Sequence, residues 1–203
     1  MGSIKLPHAS GNSMSIAAPA TNPASDLELK LPATVGTAGQ VLANSSTPGT
    51  LEFAGNTPMF LAAPTIAQTG LSSASNIKAD FTEIYDPQGT YSSGRFTPGV
   101  AGYYQYNASV FIENTTSATN AIYNTRLQIY KNGSVADTLG GRGWHQDNAG
   151  GDHWQPSISG IIYLDADDYI EVYAYCGTLS SQNWALGSSG SGGNFSAFRL
   201  LGV

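Results

Sequence analysis

The sequence predicts an all-β protein, a sandwich or jelly roll of short strands carried behind an extended N-terminal arm. Three observations lead there. Between residues 81 and 111 (FTEIYDPQGTYSSGRFTPGVAGYYQYNASVF), aromatic residues, glycines and an Asp-Pro turn recur at spacings that suit a β-sandwich. Further on, alternating apolar runs are separated by Gly, Asn and Asp turn signals, and only Ile77, Phe81, Ile84 and Tyr85 offer a helical spacing, which Asp86-Pro87 stops at once. Residues 1–55, by contrast, are rich in Ala, Pro, Ser, Thr and Gly and contain a single aromatic, Phe53. Such a segment has too little apolar surface to fold compactly alone, so it reads as an arm, flexible or ordered by docking on a partner.

Taken in order, the arm shows strand-like alternation at residues 13–17 and 26–31 (DLELKL), broken by Pro19, Pro23 and Pro32. The head, residues 56–203, carries the regular strands. Over residues 103–112, Tyr104, Tyr106, Ala108, Val110 and Ile112 share one face while Gln105, Asn107 and Ser109 share the other, the signature of a half-buried strand. Residues 126–130 place Leu127 and Ile129 on one side, and Asn132-Gly133 follows directly as a tight-turn signal, giving a hairpin. Residues 158–164 and 169–176 form two more strands around the acidic turn Asp165, Asp167, Asp168, and residues 195–201 close the chain as a last strand.

The strand at 169–176 is apolar on both sides. Ile170, Val172, Ala174 and Cys176 make one face, and Tyr169, Tyr173 and Tyr175 flank a single Glu171 on the other. In a monomer the tyrosines would form an exposed patch of the kind that marks an interface, so the expectation is an oligomer.

These residues resemble the globular head of the C-one-q family, a jelly roll related to the tumour-necrosis-factor cytokines. Phe81, Asp86, Tyr91, Phe96, Gly102, Tyr104 and Tyr106 match that family's central pattern of aromatics with Gly-x-Tyr-x-aromatic. Leu164, Asp168 and Ile170 match its Leu-x-x-x-Asp-x-hydrophobic element, and Phe195, Ser196, Ala197 and Phe198 its terminal Phe-Ser-Gly-Phe element, with Ala197 and Asp167 standing where the family has glycine. The resemblance covers residues 59–203. It implies a ten-stranded jelly-roll sandwich that assembles as a homotrimer about a threefold axis, with Tyr169, Tyr173, Tyr175 and Phe198 as interface residues.

The arm resembles something else. SIKLPHASGNSMSIAAPATNPASD and LPATVGTAGQVLANSSTPGTLEF are similar to segments of structural proteins and tail fibres of bacterial viruses, particularly cyanobacterial ones, where they lie between a virion-anchoring end and a distal head. This resemblance implies a virion protein made in the host cytoplasm, with the arm bound to other virion proteins. The opening residues MGSIKLPHASG lack the apolar run of a signal peptide, which fits that expectation, and no run is long enough for a membrane span.

Composition narrows the function. Charged residues are 11% of the chain against roughly 25% in ordinary soluble domains, so Ser, Thr, Asn, Gly and Tyr must supply the surface. With 14 acidic against 8 basic residues the net charge is −6, and the phosphate-neutralising patch of a nucleic-acid binder is missing. Cys176 stands alone, with neither a zinc spacing nor a redox pair, and reads as a small buried hydrophobe. No nucleophile elbow and no carboxylate pair for glycosidic chemistry is present, so the chain reads as no enzyme and as needing no cofactor.

Two loops carry chemistry. Residues 140–154 (GGRGWHQDNAGGDHW) hold Trp144, His145, Asp147, His153 and Trp154. They make either a Gly-rich connection whose tryptophans cover one end of the sandwich, or a recognition loop for a sugar or protein of a host surface; a metal site would need a ligand spacing that His-x-Asp and Asp-His do not supply. Asp165, Asp167 and Asp168 form a solvated β-turn or a calcium site, the turn being the ordinary use of such residues. The resulting expectation is a trimeric fibre or spike head that contacts the host surface, with a capsid decoration protein as the alternative.

Overall fold

A computed structural model describes residues 3–7, 10–11, 13–17, 19–21, 23–37, 40–54, 57–114, 122–141, 153–178, 182–187 and 192–200. The chain divides into two compact units, Met1–Asn56 and Thr57–Val203.

The first unit contains two hairpins. Strands β1 (Ser3–Pro7) and β2 (Ser13–Ala17) pair antiparallel, as do β3 (Val41–Asn44) and β4 (Leu51–Ala54). The segment 26–31, expected as a strand, is tied down among the described residues through Lys30, which forms a parallel bridge to Thr50. The Lys30 amide donates to the Gly49 carbonyl and its own carbonyl accepts from Leu51. The side chains of Leu27, Leu29 and Leu31 are all exposed, so the alternation is real but its apolar side covers nothing within the described residues.

The second unit runs through β5 (Met59–Ala63), β6 (Gln68–Leu71), β7 (Asn76–Lys78), β8 (Thr82–Tyr85), β9 (Tyr91–Ser92), β10 (Arg95–Phe96), β11 (Gly102–Ser109), β12 (Ile112–Asn114), β13 (Ile122–Lys131), β14 (Ser134–Gly141), β15 (His153–Trp154), β16 (Ser157–Leu164), β17 (Ile170–Thr178), β18 (Trp184–Leu186) and β19 (Asn194–Arg199). They form a five-stranded sheet in the order β16-β11-β19-β5-β8 and a six-stranded sheet along β14-β13-β17-β10-β9, where β7 shares the β17 edge with β10. Every pairing in these sheets is antiparallel, and the first and last strands of the unit, β5 and β19, lie side by side. This is the jelly-roll sandwich the sequence predicts. A smaller sheet, β15-β12-β18-β6, completes the unit.

Period-two alternation decides which side chains lie between the sheets. On β11 the predicted face is the buried one, and its burial continues through Val110 to Ile112 on β12, although the ladder breaks at Val110-Phe111. From the other sheet come Leu127, Ile129, Ile170, Val172, Ala174 and Cys176. Aromatic rings join the layers: Phe60 of β5 stacks on Tyr91 of β9 and Phe96 of β10, and meets Phe195 of β19 edge to face. Both tyrosine hydroxyls on the inner face of β11 are satisfied: Tyr104 donates to the Val100 carbonyl at 2.6 Å, and Tyr106 to the Asp137 carboxylate of β14. Across from Tyr106 stands Gly160, where any side chain would collide with the Tyr106 ring.

The Asn132-Gly133 hairpin forms as expected, with φ of 50° and 79°, the left-handed pair that a two-residue turn of this hand requires. The weak helical spacing at residues 77–85 does not produce a helix. Ile77 lies on β7, Ile84 and Tyr85 on β8, and Ala79 and Phe81 between them are buried in the core. Sheet pairing of both segments outweighs a four-residue coincidence of spacing. Asp86 then closes the following turn, its carboxylate accepting from the Thr90 hydroxyl at 2.9 Å and the Tyr91 amide at 2.7 Å.

Candidate functional site

Of the loop residues singled out from sequence, Trp144, His145 and Asp147 lie outside the described residues. His153 and Trp154 form β15, paired with Glu113 and Ile112 of β12. The exposed His153 ring stacks on Phe111 with centroids 5.5 Å apart, while Trp154 packs partly buried against the core.

The acidic turn is built from hydrogen bonds. Asp168 accepts from the Asp165 amide at 2.8 Å and the Asn132 side-chain amide at 2.5 Å, and pairs with Lys131 at 2.7 Å. The Lys131 ammonium, followed by the Asp165 amide and the Asn132 side chain, lowers the Asp168 carboxyl from 3.8 to about 2. Asn132 Oδ1 accepts from the Tyr169 amide, so one asparagine ties the hairpin turn to the acidic turn. Both oxygens of Asp168 are thus committed to protein donors, while Asp165 and Asp167 face outward. No group of three or more His, Cys, Asp or Glu side chains among the described residues is placed to hold a metal ion.

The tyrosine row and Phe198 lie on different sheets, so the structure does not bring them together. Tyr173 and Tyr175 sit on the outer face of β17, and Tyr169 immediately precedes that strand. The expectation of a bare tyrosine patch needs correction, because the rings are half-buried by partners that the alternation of this one strand did not reveal. The Arg95 guanidinium lies 3.7 Å from the Tyr169 centroid, and that of Arg126 lies 4.5 Å from the Tyr175 centroid. Tyr130 of β13 packs on Tyr173 at 4.1 Å and accepts a hydrogen bond from Asn76.

Glu171 lies among them with its side chain 5% exposed. A carboxylate buried to that degree needs compensating charge. It is supplied twice: Lys78 donates to Oε1 at 2.7 Å, and Arg95 reaches the same oxygen through Nε and Nη2 at 3.2 and 3.1 Å. Burial, then the Glu171 charge, raises the Tyr173 phenol above its ordinary value. Beside Tyr173, Gln128 donates to the Thr138 hydroxyl, yet its Oε1 is buried without a hydrogen-bond partner.

The surface that sequence reasoning missed is the outer face of the five-stranded sheet. Register places Tyr85, Leu61, Phe198, Tyr103, Ile161 and Tyr163 on it, and all are exposed, Ile161 at 63%, Tyr103 at 46% and Phe198 at 43%. The Tyr103 and Tyr163 rings meet edge to face at 5.3 Å. The signal was present in the doublets Tyr103-Tyr104 and Ile161-Ile162: two adjacent apolar residues on a strand put one on each face.

No family model matches the chain, and no curated protein matches it. Solved structures do. The crystal structure of murine APRIL at pH 8.5 superposes with a TM-score of 0.50 at 10% identity, covering 71% of this chain and 100% of that one. The same protein at pH 8.0 gives 0.50 at 9% identity over the same shares. The globular domain of zebrafish complement 1qA gives 0.45 at 12% identity, covering 71% and 98%. At this identity the likeness shows the fold alone: the chain has a jelly-roll fold of the kind seen in APRIL.

Proposed function

We propose that this chain is a structural surface protein of a bacterial virus: a homotrimeric jelly-roll head, held to the particle by its N-terminal arm and contacting the host surface. The observation that carries the assembly is the apolar outer face of the β16-β11-β19-β5-β8 sheet. Leu61, Tyr103, Ile161, Tyr163 and Phe198 are exposed apolar side chains on one face, with Gln105, Asn107 and Ser196 between them, and packing that face about a threefold axis removes them from solvent. The virion assignment rests on the character of residues 1–55 and the segments they resemble.

A specific feature of the arm favours the second reading, capsid decoration. In residues 26–31 the leucines point to solvent on one side while Glu28 and Lys30 pair at 3.5 Å. A clamp on shell subunits needs such an apolar strip more than it needs a receptor-binding head. Immunogold labelling of intact particles with antibody against the head separates the cases. Label at the tail or spike tips supports the attachment role, label spread over the shell supports decoration, and unlabelled particles would overturn the virion assignment.

A further inference from the structure

The turn between β13 and β14 holds the one Asn-Gly pair in the sequence, Asn132-Gly133. Asn-Gly is the pair most prone to lose its side-chain amide, because glycine has no side chain to shield its backbone nitrogen from the asparagine Cγ. Asn132 is exposed, so water reaches it. Yet both ends of its side-chain amide are occupied. Nδ2 donates to Asp168 Oδ1 at 2.5 Å, and Oδ1 accepts from the Tyr169 amide at 3.0 Å. The Asn132 backbone amide also donates to the Tyr169 carbonyl at 3.1 Å, so the residue holds the acidic turn through three of its own atoms. Asp168, only 9% exposed, is itself fixed by Lys131 at 2.7 Å and the Asp165 amide at 2.8 Å.

Deamidation has to break this arrangement. The Gly133 nitrogen attacks Asn132 Cγ, an N–C bond forms, and the Cγ–Nδ2 bond breaks; Nδ2 leaves as ammonia with the proton that the Gly133 amide gives up. Water then opens the cyclic imide at either carbonyl, giving aspartate or its β-linked isomer. The departing nitrogen is the donor that Asp168 accepts from, and the Cγ carbonyl that Tyr169 binds is drawn into the ring. Ring closure therefore costs both bonds, one of them charge-assisted. Afterwards residue 132 has no side-chain hydrogen to donate. Two carboxylates then face each other across the former bond, and like charges so close repel.

We propose that Asn132 is a deamidation site kept closed by Asp168, and that its conversion to aspartate or isoaspartate irreversibly releases the β13–β14 turn from the turn between β16 and β17.

The full-length protein is incubated in mildly alkaline buffer, folded and in guanidinium chloride. Peptic digestion at low pH followed by mass spectrometry then reads the amide-to-acid conversion at Asn132 over time. Asn44, Asn107 and Asn194 in the same digest report general opening of the chain. The folded protein should convert Asn132 at least about ten-fold more slowly than the unfolded chain, the worth of one charge-assisted hydrogen bond. Asp168→Ala should remove most of that protection while the other three asparagines keep the parent's rates. Asp168→Asn, which retains an oxygen acceptor, should fall between. Asn132→Asp carries the side chain of the product, and its hydrogen exchange across residues 165–169 should be faster by about ten-fold or more, with β5 and β19 unchanged. Equal conversion of Asn132 in folded and unfolded protein, an unchanged rate in Asp168→Ala, or a rise shared by all four asparagines would each overturn the proposal, the last because Asp168 would then hold the fold rather than the amide. Parent-like exchange in Asn132→Asp would overturn the release of the turn.

Discussion

Phe60 on β5 and Tyr91 on β9 stack with their ring centroids 4.6 Å apart and their planes 8° from parallel, and this contact joins the two sheets of the head. Phe60 also touches Phe96 and Phe195, so one side chain links strands of both layers. Phe60→Ala would leave a cavity on which rigid antiparallel ladders cannot fully collapse. A loss of about 3–5 kcal/mol is expected, the usual range for a buried Phe cut to Ala. Urea denaturation followed by tryptophan fluorescence measures it. A loss within experimental error would mean that the sheets are held together elsewhere.

Asp168 makes the head acid-sensitive in a defined window. Its carboxyl falls from 3.8 to about 2 because Lys131, the Asp165 amide and Asn132 all stabilise the ionised form. A carboxylate with a lowered folded value stabilises fully above its unfolded value, and that contribution is lost as pH falls through the folded value. The loss should therefore fall between about pH 4 and pH 2. In Asp168→Asn the same acid titration, followed by circular dichroism, should be shallower, because a neutral side chain has no proton to take up. Identical acid limbs in both proteins would show that the turn is not the sensor.

Cys176 belongs to the core. It is fully buried on the inner face of β17, and burial pushes its thiol up to about 12. At pH 8 the native protein should react with a thiol reagent only at the rate of opening, whereas in urea, where the thiol is free, reaction should be immediate. Because the folded thiol holds its proton above the unfolded value of 9.0, its contribution to stability persists below that value and fades as pH rises toward 12. Rapid native labelling would place the thiol at the surface.

The strands were legible where one face is apolar and the other polar. The β11 alternation, the Asn132-Gly133 hairpin and the β17 core face all stand as their residues indicated, because period two leaves one choice of side once a single face is buried. The short strands β7, β9 and β10 were not legible, since two or three residues carry no period; β7 and β10 take their conformation from pairing with β17, and β9 from pairing with β10. The interaction surfaces were harder for a related reason. Arg95 and Arg126 cover tyrosines that lie far from them in sequence, and no local pattern announces a cation–π contact. Phe198 was found through a family motif, but its neighbours Tyr103, Ile161 and Tyr163 were not, because each lies beside another apolar residue that belongs to the core.

That distribution sets the two outer faces against each other in one experiment. If the five-stranded sheet packs about the threefold axis, Phe198→Glu would place a charge in a buried apolar contact, which is strongly unfavourable without a partner. Phe198 is half exposed in the single chain, so the subunit itself should keep its fold. Multi-angle light scattering should then give the mass of one chain for Phe198→Glu and of three for the parent protein. Tyr173→Glu places the same charge on the opposite sheet, beside Glu171 and under Tyr130. It should leave the trimer mass unchanged, since Lys78 and Arg95 stand close enough to compensate it. The reverse outcome, dissociation by Tyr173→Glu and an intact trimer with Phe198→Glu, would return the interface to the tyrosine row.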